Sequence, residues 1–402
     1  MIDYKRPNRL AWYIASRLIS FYSRFVLKQT TTIKNIPKTN GPFLLLGNHM
    51  CNKDFIYSIS SISPKYLHFV VARKYFHNSK MLKWLNRGSA IPKSLATSDI
   101  TTIIAMINAV QKGESVGIYP SGRIGQWGVS YSVHEGTATL VKKLNIPVII
   151  IRGYGGYFAN PPYMKTNRRP GPTHTEAFLG FTQSEVEEMS KDNILARLNE
   201  LLYVDQYTWL EKTNATYKGN HFAEGLENFA YRCPNCGKVH SLTTEGNTIK
   251  CSFCDLEGYC DYASRFTWDK GIGVKDLRSW HDVILHYELI EITSIPNWEL
   301  TSEVEVATYG FNDNDIEIHS AGNGIVKLNN NFFSYEGSYE GQDIKLEIKI
   351  DNIRYFPYES GFNFQVYIKK SLYEFRTKDP RDCARFSMCL DAIKKIAGNE
   401  YV

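Results

Sequence analysis

A histidine and a carboxylate lie five positions apart where an apolar run of the sequence ends. The stretch LLLGNHMCNKDFIYS, residues 44–58, contains His49 and Asp54. Residues five apart in a regular helix point in different directions, so a close pair requires a turn between a strand and a following helix. In such a turn Asp54 could fix the imidazole tautomer while His49 takes a proton from a hydroxyl. The pattern indicates general-base chemistry, and a surface turn capped by Asp54 is the alternative.

The hydroxyl that His49 would activate is expected to belong to a substrate. A second stretch, YPSGR at 119–123, lacks the G-x-S-x-G pattern of an enzyme nucleophile. Gly122 and Arg123 follow an apolar strand, so backbone amides and a guanidinium can face an anion together. Parallel sheets bind ligands at the carboxyl ends of their strands, so His49 and Arg123 are expected at one edge. Lys93 is a further candidate anion contact, and a solvated lysine is the equal alternative.

These stretches resemble the glycerophosphate and lysophospholipid acyltransferase superfamily over roughly residues 40–155. The family's first motif, N-H-x-x-x-x-D, is met by Asn48, His49 and Asp54. Its third motif, usually F-P-E-G-x-R, corresponds to Tyr119, Pro120, Ser121, Gly122 and Arg123. The second motif is met loosely by Gly88, Ile91 and Lys93, and the apolar fourth motif contains Pro147.

The resemblance implies transfer of a fatty acyl group from acyl-CoA or acyl-carrier protein to a hydroxyl of a glycerol phosphate or a lysophospholipid. It implies that His49 is the base, assisted by Asp54. It further implies that the acceptor is bound by Asn48, Lys93, Ser121, Gly122 and Arg123. Ser121 replaces the family's glutamate, which is associated with acceptor binding. A catalytically silent lipid-binding protein is therefore a second hypothesis.

Two close cysteine pairs form the strongest local signal outside this region. The stretches CPNCGK and CSFCD supply Cys233, Cys236, Cys251 and Cys254, with fourteen residues between Cys236 and Cys251. Four thiolates at this spacing predict a tetrahedral zinc site with no open position, and hence a structural role. Iron in a rubredoxin-like site is the alternative. Zinc ribbons also occur in nucleic-acid-binding proteins, and such a protein is a third hypothesis. This ribbon lacks a dense basic and aromatic patch, so no nucleic-acid partner is predicted.

The elements that must position the first two stretches alternate between strand and helix patterns. Apolar runs at 42–48, 68–73, 115–120 and 147–154 read as strands buried on both faces. Isoleucines at 100, 103, 104 and 107, with Val110, recur at helical spacing. Such alternation predicts an α/β domain with a mostly parallel sheet. From about residue 300, short alternating runs broken by Gly and Asn predict antiparallel strands.

The apolar N-terminal stretch, residues 10–27, is interrupted by Arg17 and Arg24. This pattern favours an interfacial helix with Trp12 and Tyr13 at headgroup depth, and a soluble core helix is the alternative. The chain has 402 residues and a net charge of +6, which suits an anionic membrane surface without requiring one. A peripheral or monotopic protein on the cytoplasmic face of the cell membrane is predicted.

Five segments follow from these patterns. They are an interfacial helix at 1–30, an acyltransferase domain at 31–215, a zinc ribbon at 216–265, a linker expected to be helical at 266–299, and a C-terminal domain at 300–402. The last resembles pleckstrin-homology or GRAM domains in its strands and closing helix. For that helix, Asp379 is the predicted N-cap, and the apolar stripe is predicted to be Phe386, Cys389, Leu390, Ile393 and Ile396.

Overall fold

The structure is a computed structural model that describes residues 7–36, 41–77, 79–96, 99–164, 169–309, 318–368 and 371–398. The chain divides into two units. Unit 1 comprises Met1–Pro161 and Arg168–Lys218, and unit 2 comprises Pro162–Asn167 and Gly219–Val402. Each unit has its own sheets and helices.

A seven-stranded sheet forms the centre of unit 1. Its strands are β1 (Gln29–Lys34), β2 (Leu44–Gly47), β3 (His68–Ala72), β4 (Ile91–Lys93), β5 (Val116–Ile118), β6 (Val148–Tyr154) and β7 (Thr173–Phe181). Their order across the sheet is β1-β7-β6-β2-β5-β3-β4. Only β6 and β7 pair in antiparallel fashion among these neighbours. The predicted α/β domain with a mostly parallel sheet is thus confirmed. Strands β1 and β7 run antiparallel to the other five strands.

Helices cover both faces of this sheet. They are α1 (Arg9–Phe21), α2 (Asp54–Ile62), α3 (Ser79–Arg87), α4 (Ile100–Gln111), α5 (Gly136–Leu144), α6 (Gly156–Ala159), α7 (Gln183–Glu188), α8 (Lys191–Leu202) and α9 (Gln206–Thr213). Side chains alternate across a strand, so Leu44 and Leu46 pack toward α4, α5 and α8. Leu45 packs on the other face with α2 and with part of α1. The fully buried Leu run of β2 is explained by this two-sided cover.

Helix α4 is present as predicted, but it turns a different face inward. Thr102, Met106 and Ala109 are buried, whereas Ile100 is 70% exposed, and Ile103 and Ile104 are exposed too. The Thr102 amide donates to the N-cap carboxylate of Asp99, and its hydroxyl donates to the Pro92 carbonyl at 2.7 Å. These bonds hold the Thr102 face against β4.

Helix α1 continues into a π-helical turn, Tyr22–Val26. The indole nitrogen of Trp12 donates to the Pro64 carbonyl at 3.1 Å, and its ring contacts Tyr66; its position at headgroup depth stays a prediction. Tyr13, the next residue of the helix, is exposed. Among the residues described, no helix combines the length and apolarity needed to cross a membrane.

Unit 2 contains two antiparallel sheets. The first has the order β11-β10-β9-β8 and is built from β8 (Leu242–Glu245), β9 (Thr248–Cys251), β10 (Glu257–Cys260) and β11 (Phe266–Lys270). Helix α10 (Leu277–Ser294) follows. The second sheet consists of β12 (Glu299–Tyr309), β13 (Ile318–Asn329), β14 (Phe332–Tyr339), β15 (Gln342–Lys349), β16 (Tyr358–Glu359), β17 (Asn363–Ile368) and β18 (Ser371–Thr377). Its strand order is β15-β14-β13-β12-β18-β17-β16.

The closing helix, α11 (Asp382–Ile396), begins later than predicted. Arg381, and not Asp379, is at its N-cap position, and the Asp379 carboxylate accepts both the amide of Arg381 at 3.0 Å and its guanidinium at 2.6 and 2.8 Å. The predicted apolar stripe is buried except for Ile396, which is 47% exposed.

A buried ion network joins three elements of unit 2. Arg232, which precedes the first cysteine pair, donates to Glu288 at 2.7 Å and to Glu291 at 2.9 Å on α10. Arg385 of α11 donates to Glu291 at 3.0 Å. Because Glu288 is fully buried, this network fixes the cysteine-bearing segment to both helices.

Candidate active site

The structure pairs His49 with Asp54 as the sequence predicted. Nδ1 of His49 lies 2.6 Å from Oδ2 of Asp54, because the chain turns after β2 and begins α2 at Asp54 itself. The imidazole is about a quarter exposed, at 23%, while the carboxylate is buried. With Nδ1 held by the carboxylate, Nε2 is the nitrogen available for a proton from outside.

The Asp54 carboxylate is oriented by the turn that contains the histidine. Oδ2 accepts the amides of Met50 at 2.7 Å and Cys51 at 3.1 Å. The Cys51 thiol donates to Oδ1 at 3.4 Å. Burial, followed by the Asp54 charge, raises the pKa of the Cys51 thiol well above its usual value, so Cys51 serves as a neutral donor. The turn therefore presets the carboxylate for the imidazole.

Tyr119 forms one wall of the site. Its ring stacks on His49 with centroids 4.8 Å apart, and its hydroxyl lies 2.9 Å from the Ser58 hydroxyl of α2. Burial, followed by repulsion from Asp54, raises the pKa of the Tyr119 phenol well above its usual value. Gly47 permits the stack, because a Cβ there would lie 2.7 Å from Cε1 of Tyr119.

Asn48 links the neighbouring strands β2 and β6. Its Oδ1 accepts the Gly153 amide at 2.6 Å, and its Nδ2 donates to the Gly153 carbonyl at 3.1 Å. The side chain is buried, so its amide serves strand packing here. Its assignment to acceptor binding stays a prediction.

The loop that follows β5 returns to the histidine. The Gly125 amide donates to the His49 carbonyl at 2.8 Å, which brings the predicted anion loop to the dyad. Gly122 has a φ of 71°, a conformation that favours glycine in this turn. The Ser121 hydroxyl donates to the Arg123 carbonyl at 2.9 Å.

Arg123 is held over an aromatic ring. Its guanidinium carbon lies 3.7 Å from the ring centroid of Tyr131, and the residue is partly exposed. Stacking on a ring fixes the plane of a guanidinium, whose fork of N–H groups matches the oxygens of a phosphate. Arg123 therefore has a defined position two residues from the contact with His49.

Lys93 ends β4 at the same edge of the sheet, three strands from β2. This separation is about 14 Å at the usual strand spacing of about 4.8 Å. Arg73 follows β3, between β5 and β4, and its guanidinium donates to Ser94 at 3.2 Å. The sequence reasoning missed Arg73. The strand run HFVVAR already ended in a cation, but its place beside the anion loop depends on the strand order.

The comparison with protein families bears on this geometry. Residues 28–152 match the family model described as Acyltransferase. This part of the chain is an acyltransferase-family domain. The predicted resemblance is therefore confirmed for residues 28–152, which include both the dyad and the loop after β5.

Solved structures and curated proteins give further comparisons. The chain is similar to the crystal structure of the 1-acyl-sn-glycerophosphate (LPA) acyltransferase PlsC from Thermotoga maritima, with 15% identity and a TM-score of 0.42. The alignment covers 54% of this chain and 86% of that chain. No curated protein matches the sequence.

Outside the acyltransferase domain, the four predicted cysteines come together. Their sulfur atoms all lie within 4.8 Å of one another. Cys233 and Cys254 are 3.8 Å apart, and Cys236 and Cys251 are 3.9 Å apart. Four sulfurs at about 2.3 Å from a central zinc would be about 3.8 Å from each other. The cluster therefore has dimensions that could hold a metal ion.

Proposed function

We propose that this chain transfers a fatty acyl group from a thioester to a hydroxyl of a glycerol phosphate or a lysophospholipid. The observation that carries the proposal is the His49–Asp54 pair inside an acyltransferase-family domain. His49 acts as the general base, and Asp54 holds its tautomer and stabilises the imidazolium.

The reaction needs one proton acceptor and one leaving group. Nε2 of His49 takes the proton from the acceptor hydroxyl as its oxygen attacks the thioester carbonyl carbon. The carbon–sulfur bond breaks, and the thiol leaves with the proton that the imidazolium returns. Acyl-CoA or acyl-carrier protein supplies the thioester, and the products are an ester and a free thiol.

The acceptor phosphate is assigned to the edge of the sheet that carries the loop after β5. The guanidinium of Arg123, placed by the turn at Gly122, binds it. Lys93 lies along the same edge, as does Arg73, whose guanidinium is 3.5 Å from the Asp99 carboxylate. Ser121 lies where the family has a glutamate. Its hydroxyl brings no negative charge to the phosphate, which favours an anionic acceptor.

The remaining assignments concern the surroundings of the enzyme. The dimensions of the Cys233, Cys236, Cys251 and Cys254 cluster support a structural zinc, which needs four thiolates and no open position. The exposed apolar side of α1 supports peripheral attachment to the cytoplasmic face of the cell membrane. The second sheet of unit 2 with α11 is assigned a pleckstrin-homology-like role in lipid or protein contact.

Release of free thiol from acyl-CoA and acyl-carrier protein, measured against a panel of glycerol phosphate and lysophospholipid acceptors, tests the proposal. We expect release that depends on the acceptor and falls about 10²–10⁴-fold in His49→Ala. His221→Ala is the control, because His221 is an exposed histidine of unit 2.

The same assay separates the second hypothesis, which Ser121 motivates. A folded wild-type chain that binds a lysophospholipid, but releases no thiol with any donor, would be a silent lipid-binding protein. Normal turnover in folded His49→Ala would instead refute the assignment of the base.

A further inference from the structure

Helix α3 presents an aromatic side chain and cations to solvent. Trp84 is 68% exposed, and the guanidinium of Arg87 lies 5.5 Å from its ring centroid. Lys83 is also exposed. Between residues 73 and 98 the sequence has six Lys and Arg and no Asp or Glu. An exposed Trp beside cations on a short helix is typical of a segment that lies in a membrane interface.

The topology places α3 on the same face of the sheet as α1. The connections from β2 to β3 and from β3 to β4 move in one direction across the sheet, and parallel crossovers are right-handed. Helices α2 and α3 therefore cover one face, where α1 packs on α2. A direct link supports this placement, because the Tyr66 hydroxyl donates to the Gly88 carbonyl at 3.0 Å while the Tyr66 ring contacts Trp12.

The charge of this part of the chain is strongly biased. Residues 4–98 contain sixteen Lys and Arg, and Asp54 is their single acidic residue. The other residues of the chain contain 31 Lys and Arg against 40 Asp and Glu. The modest net charge of the whole chain therefore conceals a basic N-terminal quarter that includes α1, α2 and α3. Such a segment is complementary to a surface of anionic headgroups.

We propose that α3 is a second membrane-contacting helix, which binds a bilayer rich in anionic phospholipid together with α1. Trp84 enters the boundary between headgroups and acyl chains, and Lys83 and Arg87 contact lipid phosphates. This inference rests on the proposed function, because a membrane contact serves an enzyme whose acceptor and its acyl chain are presented by the bilayer. An acidic protein would satisfy the cations, but the apolar residues that α1 exposes on the same face of the sheet favour the lipid surface.

Two membrane contacts fix the orientation of an enzyme at a surface, which one contact does not. A domain attached by α1 alone can rotate about the axis of that helix. A second contact through α3 removes this rotation, and α3 leads into β4, whose Lys93 end lies about 14 Å from β2 by strand spacing. The contact thereby fixes the distance between the bilayer and the edge of the sheet that carries His49.

Co-sedimentation of the full chain with vesicles tests the proposal. The vesicles contain phosphatidylcholine alone or phosphatidylcholine with phosphatidylglycerol. We expect Lys83→Glu to weaken binding to the anionic vesicles roughly tenfold, because it replaces a positive charge at the surface with a negative one. Trp84→Ala should weaken binding to both kinds of vesicle. Lys191→Glu and Tyr203→Ala are matched controls, since both are exposed residues of the α8 side and should leave binding unchanged.

Quenching by brominated lipid identifies the inserted residue. Trp84→Phe keeps an apolar ring, so we expect binding to be retained while quenching of tryptophan emission falls. Unchanged quenching, or equal binding by Lys83→Glu and its control, would overturn the proposal. A wild-type chain that binds an acidic protein through α3 but does not bind the anionic vesicles would overturn it in favour of a protein partner.

Failure of the membrane contact can be distinguished from failure of the proposed function. Turnover of a short-chain, soluble acceptor in the absence of vesicles reports only the chemistry. If the α3 variants retain that turnover and bind vesicles normally, the membrane contact is refuted and the enzyme assignment stands. If wild type turns over no acceptor but the variants lose vesicle binding, the enzyme assignment is refuted and the membrane contact stands.

Discussion

The Asp54 carboxylate has two tasks at the scale of single residues. It binds Nδ1 of His49 and it accepts the amides of Met50 and Cys51. The same oxygen, Oδ2, takes part in all three contacts. The position of the imidazole therefore depends on the fold of the turn, and the turn depends on the charge of the carboxylate.

Asp54→Asn should reduce turnover by roughly 10²–10⁴-fold. An asparagine amide can donate to Nδ1, which places the imidazole proton on Nε2 and prevents it from accepting a proton there. Steady-state thiol release is the measurement, with circular dichroism as the test of folding. Asp205→Asn is the control, because Asp205 caps α9 and binds no imidazole. Equal turnover in both folded variants would contradict the role of the pair.

Gly47→Ala should reduce both activity and stability. Its Cβ would lie 2.7 Å from Cε1 of Tyr119, so the ring that stacks on His49 must move, and overpacking of this kind costs about 1–3 kcal/mol. Thermal melting and thiol release measure the effects. Gly41→Ala is the matched control, since a Cβ there meets nothing within 4 Å.

A second substitution makes this test specific. Tyr119→Val removes the ring edge that the added methyl group at position 47 would contact, so the double variant should melt at a higher temperature than Gly47→Ala alone. Activity should stay low, because the ring beside His49 is lost. If the double variant is less stable than either single variant, the close approach of ring and glycine is not the cause.

At this scale the sequence predicted the pairing but not its surroundings. His49 and Asp54 are close in the chain, so the turn that joins them could be inferred locally. The two hydrogen bonds between Asn48 and Gly153 depend on which strands are neighbours, and so does the position of Arg73. No local pattern contains that information.

Helix α4 shows the same limit at the scale of elements. Its sequence carries apolar residues on several sides, so helical spacing predicts the helix without selecting its buried face. The choice depends on the Thr102 hydroxyl, which finds an acceptor in the Pro92 carbonyl. The predicted start of α11 also differs from the structure, because the helix begins at Asp382 although the Asp379 carboxylate accepts the Arg381 amide at 3.0 Å.

The cysteine cluster should carry one zinc ion per chain. Two of its sulfur–sulfur distances, 3.8 and 3.9 Å, match a tetrahedral zinc site, and loss of the ion should loosen the sheet of β8 to β11. Elemental analysis of gently purified protein is the measurement. Cys254→Ser should lose the metal, whereas Cys260→Ser should retain it, because Cys260 lies outside the cluster. Metal-free wild-type protein would refute the site.

The ion network of α10 and α11 should make unit 2 sensitive to acid. Burial tends to raise the pKa of Glu291, but its bonds with Arg232 and Arg385 prevail and lower that pKa. A carboxyl with a lowered folded-state pKa stabilises the fold above the unfolded pKa of about 4.3. That stabilisation is lost as the pH falls through the folded-state pKa.

Thermal melting of Glu291→Gln against wild type, measured across pH, checks this expectation. The variant should melt at a lower temperature at pH 7, and the difference should shrink as the pH falls below about 4. A difference that is independent of pH would mean that Glu291 acts through packing rather than through its charge.

For the whole molecule, the exposed side of α1 predicts how the protein is distributed in a cell. Leu18 and Phe21 are 65% and 62% exposed, so Leu18→Asp with Phe21→Asp should preserve folding and shift the chain toward the soluble fraction. Fractionation of a lysate is the measurement, and Ile290→Asp is the control, because Ile290 is an exposed residue of α10. If the double variant stays with membranes, attachment depends on another surface.

The sequence indicated a change of architecture along the chain, because continuous apolar runs give way to short alternating ones. The structure places β8 to β11, α10 and the C-terminal sheet together in unit 2. Their association depends on buried side chains such as Arg232 and Glu288, which are far apart in sequence. The division at residues 216, 266 and 300 stays a prediction.

The amides that donate to Asp54 also report how often the site opens. Hydrogen exchange at Met50 and Cys51 requires the turn to open, and opening separates the carboxylate from the imidazole at the same moment. The exchange rate of these two amides therefore measures how often the empty enzyme loses its catalytic arrangement. A bound substrate that needs the closed arrangement should slow that rate, even when no chemistry follows.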